Sequence, residues 1–342
     1  MTVGVVANPA SGRDIRRLVA GASVFDNAEK GNMVYRLMVG LKAVGVERVL
    51  MMPAASGLSD SLDRNLRSNA AKSESQSLPE LELVEMTVRH TVRDTVEAVG
   101  AMVGRGVSAI VVLGGDGTNR IVARHCSDVP ICTLSTGTNN AFPRMREATV
   151  AGLATGLVAT GQVDDRALRR EKILRVGLNG EADHDCALVD VAVSAERFVG
   201  ARALWRVRDI SEVFVTSGAP DAVGLSAVAG LLYPIPRSAG YGLYIRLTSP
   251  EEADTVLRVP LAPGLVVPVG VAETKRLEPG EVVCMAPTSG SLALDGEREI
   301  ELSSDDRVEV RLDADGPLTI GVEEVMQEAA QSGLLNGTLD RT

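Results

Sequence analysis

The sequence predicts an α/β domain built on a parallel sheet, followed by a β-rich, sandwich-like second domain and a C-terminal helix. Three observations carry that prediction. Apolar strand runs alternate with helically spaced segments up to about residue 150, and short strand runs broken by Asn179-Gly180 and Asp295-Gly296 follow. Apolar residues make up 45% of the chain and aromatic residues only 3%, which suits a Val- and Leu-rich sheet covered on both faces. The 342 residues exceed one average domain. The expected division is 1–150, 151–320, and a helix with its tail over 321–342.

The first strand is Val3 to Ala7, followed by a helix from about Asp14, a helix through Tyr35 to Lys42, and a strand from Arg48 to Met52. This alternation is the grammar of a parallel sheet. Within the polar stretch from Ala54 to Ser77, the segment Ser68 to Ser77 shows no apolar period and reads as a surface loop or, alternatively, as a lid over a ligand. Leu81 to Met86 supplies the next strand, and Val92, Val96, Val99 and Val103 mark the helix after it. Val107 to Leu113 and Pro130 to Leu134 extend the sheet.

Beyond Val150 the pattern turns antiparallel, because Ile173 to Leu178 and Ala182 to Ser194 are joined by Asn179-Gly180, a two-residue hairpin signal. Further short strands are Leu243 to Leu247, Val266 to Val271, Val282 to Met285, Leu292 to Leu294, Glu299 to Leu302 and Val308 to Leu312. Val322, Val325, Met326, Ala329 and Ala330 recur at helical spacing and predict the closing helix.

Composition excludes several function classes. A formal net charge of −10 disfavours nucleic acid and anionic membrane surfaces, which a basic face would bind, so a small-molecule partner is expected. Cys126, Cys132, Cys186 and Cys284 form no C-x-x-C, and His90, His125 and His184 form no H-E-x-x-H, so no protein metal site or disulfide framework is expected. The chain opens on a strand pattern and its longest apolar stretch, Ala222 to Pro236, is short for a bilayer, giving a cytoplasmic expectation.

The chemistry gathers in three strand-to-helix loops, which in an open parallel sheet share one crevice at the carboxyl ends of the strands. Gly114-Gly115-Asp116-Gly117-Thr118 follows a buried strand, and its glycines let the backbone approach a ligand while the next helix offers free N–H groups to phosphate. Asn8-Pro9-Ala10-Ser11-Gly12-Arg13 offers a phosphate cradle with one guanidinium. Ser135-Thr136-Gly137-Thr138-Asn139-Asn140 supplies hydroxyls and amides for ribose or triphosphate oxygens.

The Gly114 to Thr118 and Gly137 to Asn140 motifs resemble the superfamily of ATP-NAD kinases and diacylglycerol and sphingosine kinases. The opening Asn8 to Asp14 is similar to the branch named for the X protein of acetoin catabolism. The resemblance implies a Rossmann-like first domain, a β-rich second domain, a nucleotide site between them and a homo-oligomer. It implies ATP, Mg²⁺ and NAD(H) as cofactors or substrates, with Asp116 as the catalytic group that deprotonates the acceptor hydroxyl or positions Mg²⁺. Carried over, Gly114, Gly115, Gly117 and Thr118 hold phosphates, with Asn119 and Arg120 beside them. Asn8, Ser11, Gly12, Arg13, Thr136, Gly137 and Thr138 complete the cradle, and Asn139 and Asn140 orient the acceptor or the ribose.

Two departures bear on the acceptor. The Asn-Asp or Asn-Glu pair of NAD kinases falls on Val189-Asp190, where valine replaces asparagine, and only Gly224 to Gly230 stands where a Thr-Gly-Ser-Thr-Ala-Tyr segment is expected. Asp190 either binds a ribose hydroxyl or is an outward-facing strand carboxylate. Asp295-Gly296-Glu297 resembles the Asp-Gly-Glu of lipid kinases, or is an ordinary hairpin. The readings are therefore a kinase moving the γ-phosphoryl of ATP to a nucleotide-like acceptor such as NAD(H), a non-catalytic nucleotide sensor linked to acetoin catabolism, and a lipid kinase.

Overall fold

The computed structural model describes residues 1–9, 25–54, 57–72, 76–137, 140–196, 207–285 and 289–336. The expected helix from Asp14 and the candidate residues Ser11, Gly12, Arg13, Thr138 and Asn139 lie outside them.

The first lobe runs β1 (Thr2–Ala7), α1 (Asn27–Ala43), β2 (Arg48–Met51), α2 (Leu58–Ala70), β3 (Glu80–Leu83), α3 (Val92–Gly104), β4 (Ala109–Gly114), α4 (Asp116–His125), β5 (Ile131–Ser135) and α5 (Ala148–Ala159). The strands pair in parallel in the order β3-β2-β1-β4-β5. Side chains alternate across such a sheet, so Val3, Val5, Val111 and Leu113 join the core on one face while Val6, Ile110 and Val112 join the core on the other. The unbroken apolar runs of β1 and β4 have this cause: helices cover both faces.

The polar stretch after Ala54 holds the helix α2, which the sequence reading did not assign and which overlaps the loop expected over Ser68 to Ser77 only as far as Ala70. Leu58, Leu62 and Leu66 stand four apart and pack on the core, a narrow apolar stripe hidden in a polar sequence. Helix α5 has no amphipathic signature because it is buried nearly all round. A side chain at Gly40 or Gly152 would strike the backbone of the opposite helix, at Thr149 and Leu37 respectively, so these glycines set how closely α1 and α5 approach.

The second lobe contains β7 (Ile173–Leu178), β8 (Glu181–Ala187), β9 (Asp190–Ser194), β10 (Ile210–Val215), α6 (Ser226–Leu232), β11 (Gly242–Thr248), β12 (Thr255–Ala262), β13 (Leu265–Leu277), β14 (Val282–Met285), β15 (Gly290–Leu294), β16 (Glu297–Leu302) and β17 (Val308–Asp313). One antiparallel sheet has the order β12-β13-β11-β10-β9-β15-β16 and a smaller one β14-β17-β7-β8. Leu174, Val176 and Leu312 from the small sheet share a core with Val191, Phe214 and Leu294 from the large one, the sandwich-like packing expected. Both hairpin turns adopt positive φ, Asn179 at 52° with Gly180 at 89° and Asp295 at 52° with Gly296 at 77°.

Two short strands, β6 (Leu168–Arg170) and β18 (Leu318–Ile320), extend the first sheet beyond β5, and α7 (Val322–Ser332) packs on α5 through Val325 and Ala329. The chain thus visits the first sheet, builds the β-rich lobe and returns. No helix among the described residues is long and apolar enough to cross a membrane.

Candidate functional site

β1 and β4 are neighbours, but β2 and β3 continue on one side of them and β5 on the other. Such a switch in strand order opens a crevice at the carboxyl ends, and the loops after β1, β4 and β5 meet there. The amide of Asn8 donates to the Thr118 hydroxyl at 2.9 Å, tying the first loop to the start of α4. Gly114 makes room for that hydroxyl, since a Cβ there would lie 2.6 Å from Thr118 Cβ. Gly115 faces Asn140, whose Oδ1 would be 2.9 Å from a Cβ at that glycine. Asn140 in turn donates to Ser135 Oγ at 2.8 Å, and Ser135 Oγ donates to the Gly137 carbonyl at 3.0 Å.

Asp116 sits in the first turn of α4, 8% exposed. Its carboxylate accepts the backbone N–H groups of Ala141 at 3.0 Å and Phe142 at 2.8 Å. Those two residues are held from the other side by Arg237, which donates to both of their carbonyls, at 2.7 Å for Ala141, and lies 4.7 Å from the Phe142 ring centre. Burial lowers the Arg237 pKa, with Glu171 and Asp116 opposing the shift. The segment after β5 is therefore clamped by one carboxylate on its donors and one guanidinium on its acceptors.

Two predicted residues turn away from the crevice. Asn119 is fully buried and donates to the Gly115 carbonyl at 2.8 Å, so its side chain closes the first turn of α4. Arg120, 4% exposed, reaches three carboxylates of the second lobe: Asp185 at 3.1 Å, Glu299 at 3.0 Å and Asp295 at 3.8 Å. Burial opposes its charge, but Asp295, Asp185 and Glu299 together raise its pKa. In this arrangement it joins the lobes, and its guanidinium is committed to carboxylates before any phosphate arrives.

The Asp295-Gly296 hairpin is more than a turn. Asp295 is wholly buried and accepts the N–H groups of Leu188 at 3.0 Å and Val189 at 2.7 Å, where the expected single strand 182–194 breaks into β8 and β9. Burial pushes its carboxyl pKa up, against Arg120 and these backbone donors. Next along β16, Glu297 approaches the glycine turn, with Oε2 3.8 Å from where a Cβ on Gly117 would sit. Asp190, at the start of β9, is only 5% exposed on a strand buried throughout, so it is not the outward-facing carboxylate weighed above.

The sequence reading missed Lys30 and Arg237. Lys30, on α1, is 1% exposed and its ammonium donates to the Asn8 carbonyl at 3.0 Å and Asn27 Oδ1 at 3.3 Å. The available signal was a lysine at the head of the apolar stripe Met33, Val34, Leu37 and Leu41. Arg237 had none, because its partners lie nearly a hundred residues away. Thr136, fully buried, stays beside β4 through its N–H to the Gly114 carbonyl at 3.4 Å. Among the described residues no group of three or more His, Cys, Asp or Glu side chains could hold a metal ion.

Comparisons with known proteins find matches in both halves of the chain. Residues 3–163 match the ATP-NAD kinase N-terminal domain, and residues 172–315 match the acetoin catabolism protein X C-terminal domain. The acetoin catabolism protein X of Cupriavidus necator is 45% identical over 337 residues, covering 97% of this chain and 93% of that one. A diacylglycerol kinase structure from Bacillus anthracis str. Sterne aligns over 93% of this chain and 96% of its own at 11% identity, with a TM-score of 0.38, too distant to carry an argument.

Proposed function

Since the chain belongs to the family of acetoin catabolism protein X and carries an ATP-NAD kinase N-terminal domain, we propose that it transfers the γ-phosphoryl group of ATP to a hydroxyl of a nucleotide-like acceptor, NAD(H) being the first candidate. The observation that supports this most is the convergence of three loops at the strand-order switch, held together by the bonds of Asn8, Asp116 and Asn140.

The residues present fit a nucleotide phosphate. The first-turn N–H groups of α4 have no intrahelical acceptor, and among the described residues nothing lies nearer than Glu297 to where a Cβ on Gly117 would sit. Lys30 brings a buried positive charge to the Asn8 loop. Mg²⁺ would travel with ATP and neutralise charge on its phosphates, coordinated largely by phosphate oxygens and water rather than by a protein cage. In our reading Asp116 performs two tasks: it fixes the segment after β5 through the Ala141 and Phe142 N–H groups, and its carboxylate edge orients the acceptor hydroxyl and draws off its proton. Gly115 and Gly117 keep side chains out of the space the phosphates need. Asp190 is the proposed second-lobe contact to a ribose hydroxyl.

A second reading, ligand binding without turnover, is favoured by the same Asp116 bonds, since a carboxylate engaged by backbone donors is a weaker base. The test is NADP(H) formation by the purified chain with Mg·ATP and either NAD or NADH, beside Asp116→Ala. Turnover lost in the variant supports the dinucleotide kinase. Nucleotide binding without turnover on any hydroxyl acceptor supports the sensor.

A further inference from the structure

A second cavity, of about 200 Å³, lies beyond the β5 edge between the segment after Phe142, strands β6 and β18 and the start of α7. It has the room of roughly six or seven waters, enough for a phosphate group and part of what carries it. Four arginines line it: Arg144, Arg146, Arg169 and Arg237. Their partners differ. Arg169 is paired with Glu324, whose carboxylate also folds over Gly321, so the start of α7 is already occupied. Arg237 spends one nitrogen on the Ala141 and Phe142 carbonyls and points another toward Glu171 at 3.8 Å. Glu171 is further engaged by the Thr319 hydroxyl at 2.8 Å.

Arg144 and Arg146 are different. Among the described residues neither side chain makes an ion pair or a hydrogen bond, although both stand on the wall of one cavity in a chain of net charge −10. Burial and, to a smaller extent, Arg144 disfavour the charged form of Arg237 on the same wall. Three carboxylates also line the cavity, but Glu324 pairs with Arg169 and Glu171 faces Arg237, and neither these nor Glu323 forms an ion pair with Arg144 or Arg146.

We propose that this cavity is an anion site for a phosphate-type oxyanion, separate from the glycine-loop crevice, with Arg144 and Arg146 as its two principal ligands and Arg237 as the link between the two places. Guanidinium forks match tetrahedral oxyanions with paired N–H donors, which selects phosphate over a halide. The oxyanion can be free phosphate, the phosphate of a small phosphorylated molecule, or the triphosphate of ATP itself, and the proposal commits to the first two. It does not depend on phosphoryl transfer, because it is read by binding alone.

The test is calorimetric titration of the full chain with inorganic phosphate at low salt, for the native protein and for the double variant Arg144→Gln, Arg146→Gln, each with and without saturating Mg·ATP. Both side chains lie at the surface rim, and circular dichroism checks that the variant keeps its fold. The expected result is one phosphate per chain in the native protein, unaffected by Mg·ATP, and affinity reduced about tenfold per arginine removed. Unchanged affinity in the double variant, or no phosphate binding by the native chain, overturns the proposal. Displacement of phosphate by Mg·ATP overturns it as well, assigning the arginines to the nucleotide. An Asp116→Ala variant that loses turnover but keeps phosphate binding separates this proposal from the kinase reading.

Discussion

Arg120 offers the sharpest test of how the two lobes are joined. Replacing it with methionine keeps most of the packing of its stem but removes a guanidinium shared by Asp185, Glu299 and Asp295. Asp295 would then be left wholly buried beside the broken strand at Leu188 with only backbone donors around it. Removing one partner of a buried ion pair typically costs about 3–5 kcal/mol, whereas removing both costs much less. We therefore expect Arg120→Met to lose about 3–5 kcal/mol in urea unfolding at pH 7, and the double variant with Asp295→Asn to recover much of that loss. The pH dependence follows from the Asp295 shift. Its folded pKa is raised above the unfolded value, so its contribution to stability is fully present below the unfolded pKa and is lost as pH rises through the folded one. Without Arg120, which works against that shift, the folded pKa rises further and the loss spreads to higher pH. The deficit of the single variant should accordingly shrink on acidification from neutrality. A deficit below about 1 kcal/mol, the scale of an exposed pair, or one that does not shrink in acid, refutes the clamp.

Asp116→Ala should lower turnover by about 10²–10⁴-fold, as loss of an acid–base group does, and should also speed hydrogen exchange at the Ala141 and Phe142 amides; protection unchanged at both amides would separate Asp116 from the clamp. Gly152→Ala should cost roughly 1–3 kcal/mol of stability by forcing α1 and α5 apart despite its better helix propensity. Gly100→Ala, in open space on α3, should raise stability by up to about 1 kcal/mol, so thermal melts that move in the same direction for both would contradict the packing argument. Burial pushes the thiols of Cys126 and Cys132 up to about 11 and that of Cys186 up to about 12, while Cys284 is exposed. A thiol reagent at pH 8 should accordingly modify Cys284 rapidly and the other three only after unfolding, with fast modification of any buried thiol counting against the burial shown.

The parallel sheet, the two hairpins and the closing helix were legible in the residues because each is announced locally: by apolar runs at β1 and β4, by Asn179-Gly180 and Asp295-Gly296, and by the spacing from Val322 to Ala330. The glycine loop was legible for the same reason, since the close approach of Thr118 to Gly114 and of Asn140 to Gly115 leaves no room for a Cβ. Helix α2 was overlooked because three leucines at intervals of four are easily lost among polar residues, and α5 because a helix buried nearly all round has no periodic pattern to display. Sequence alone likewise cannot say that Leu318–Ile320 returns to pair with β5, a pairing across nearly two hundred residues.

What the sequence determined by itself is the chemistry in stock: one carboxylate in a glycine turn, three strand-end loops rich in small polar residues, and an acidic chain suited to small ligands. Which groups use that chemistry was decided by tertiary structure. Arg120 and Asp116 stand four residues apart, yet one is bound to the carboxylates of another lobe and the other to the amides of a neighbouring loop. Their roles are set by charges and donors distant in sequence, and long-range electrostatic pairing leaves no periodic trace in the chain that forms it.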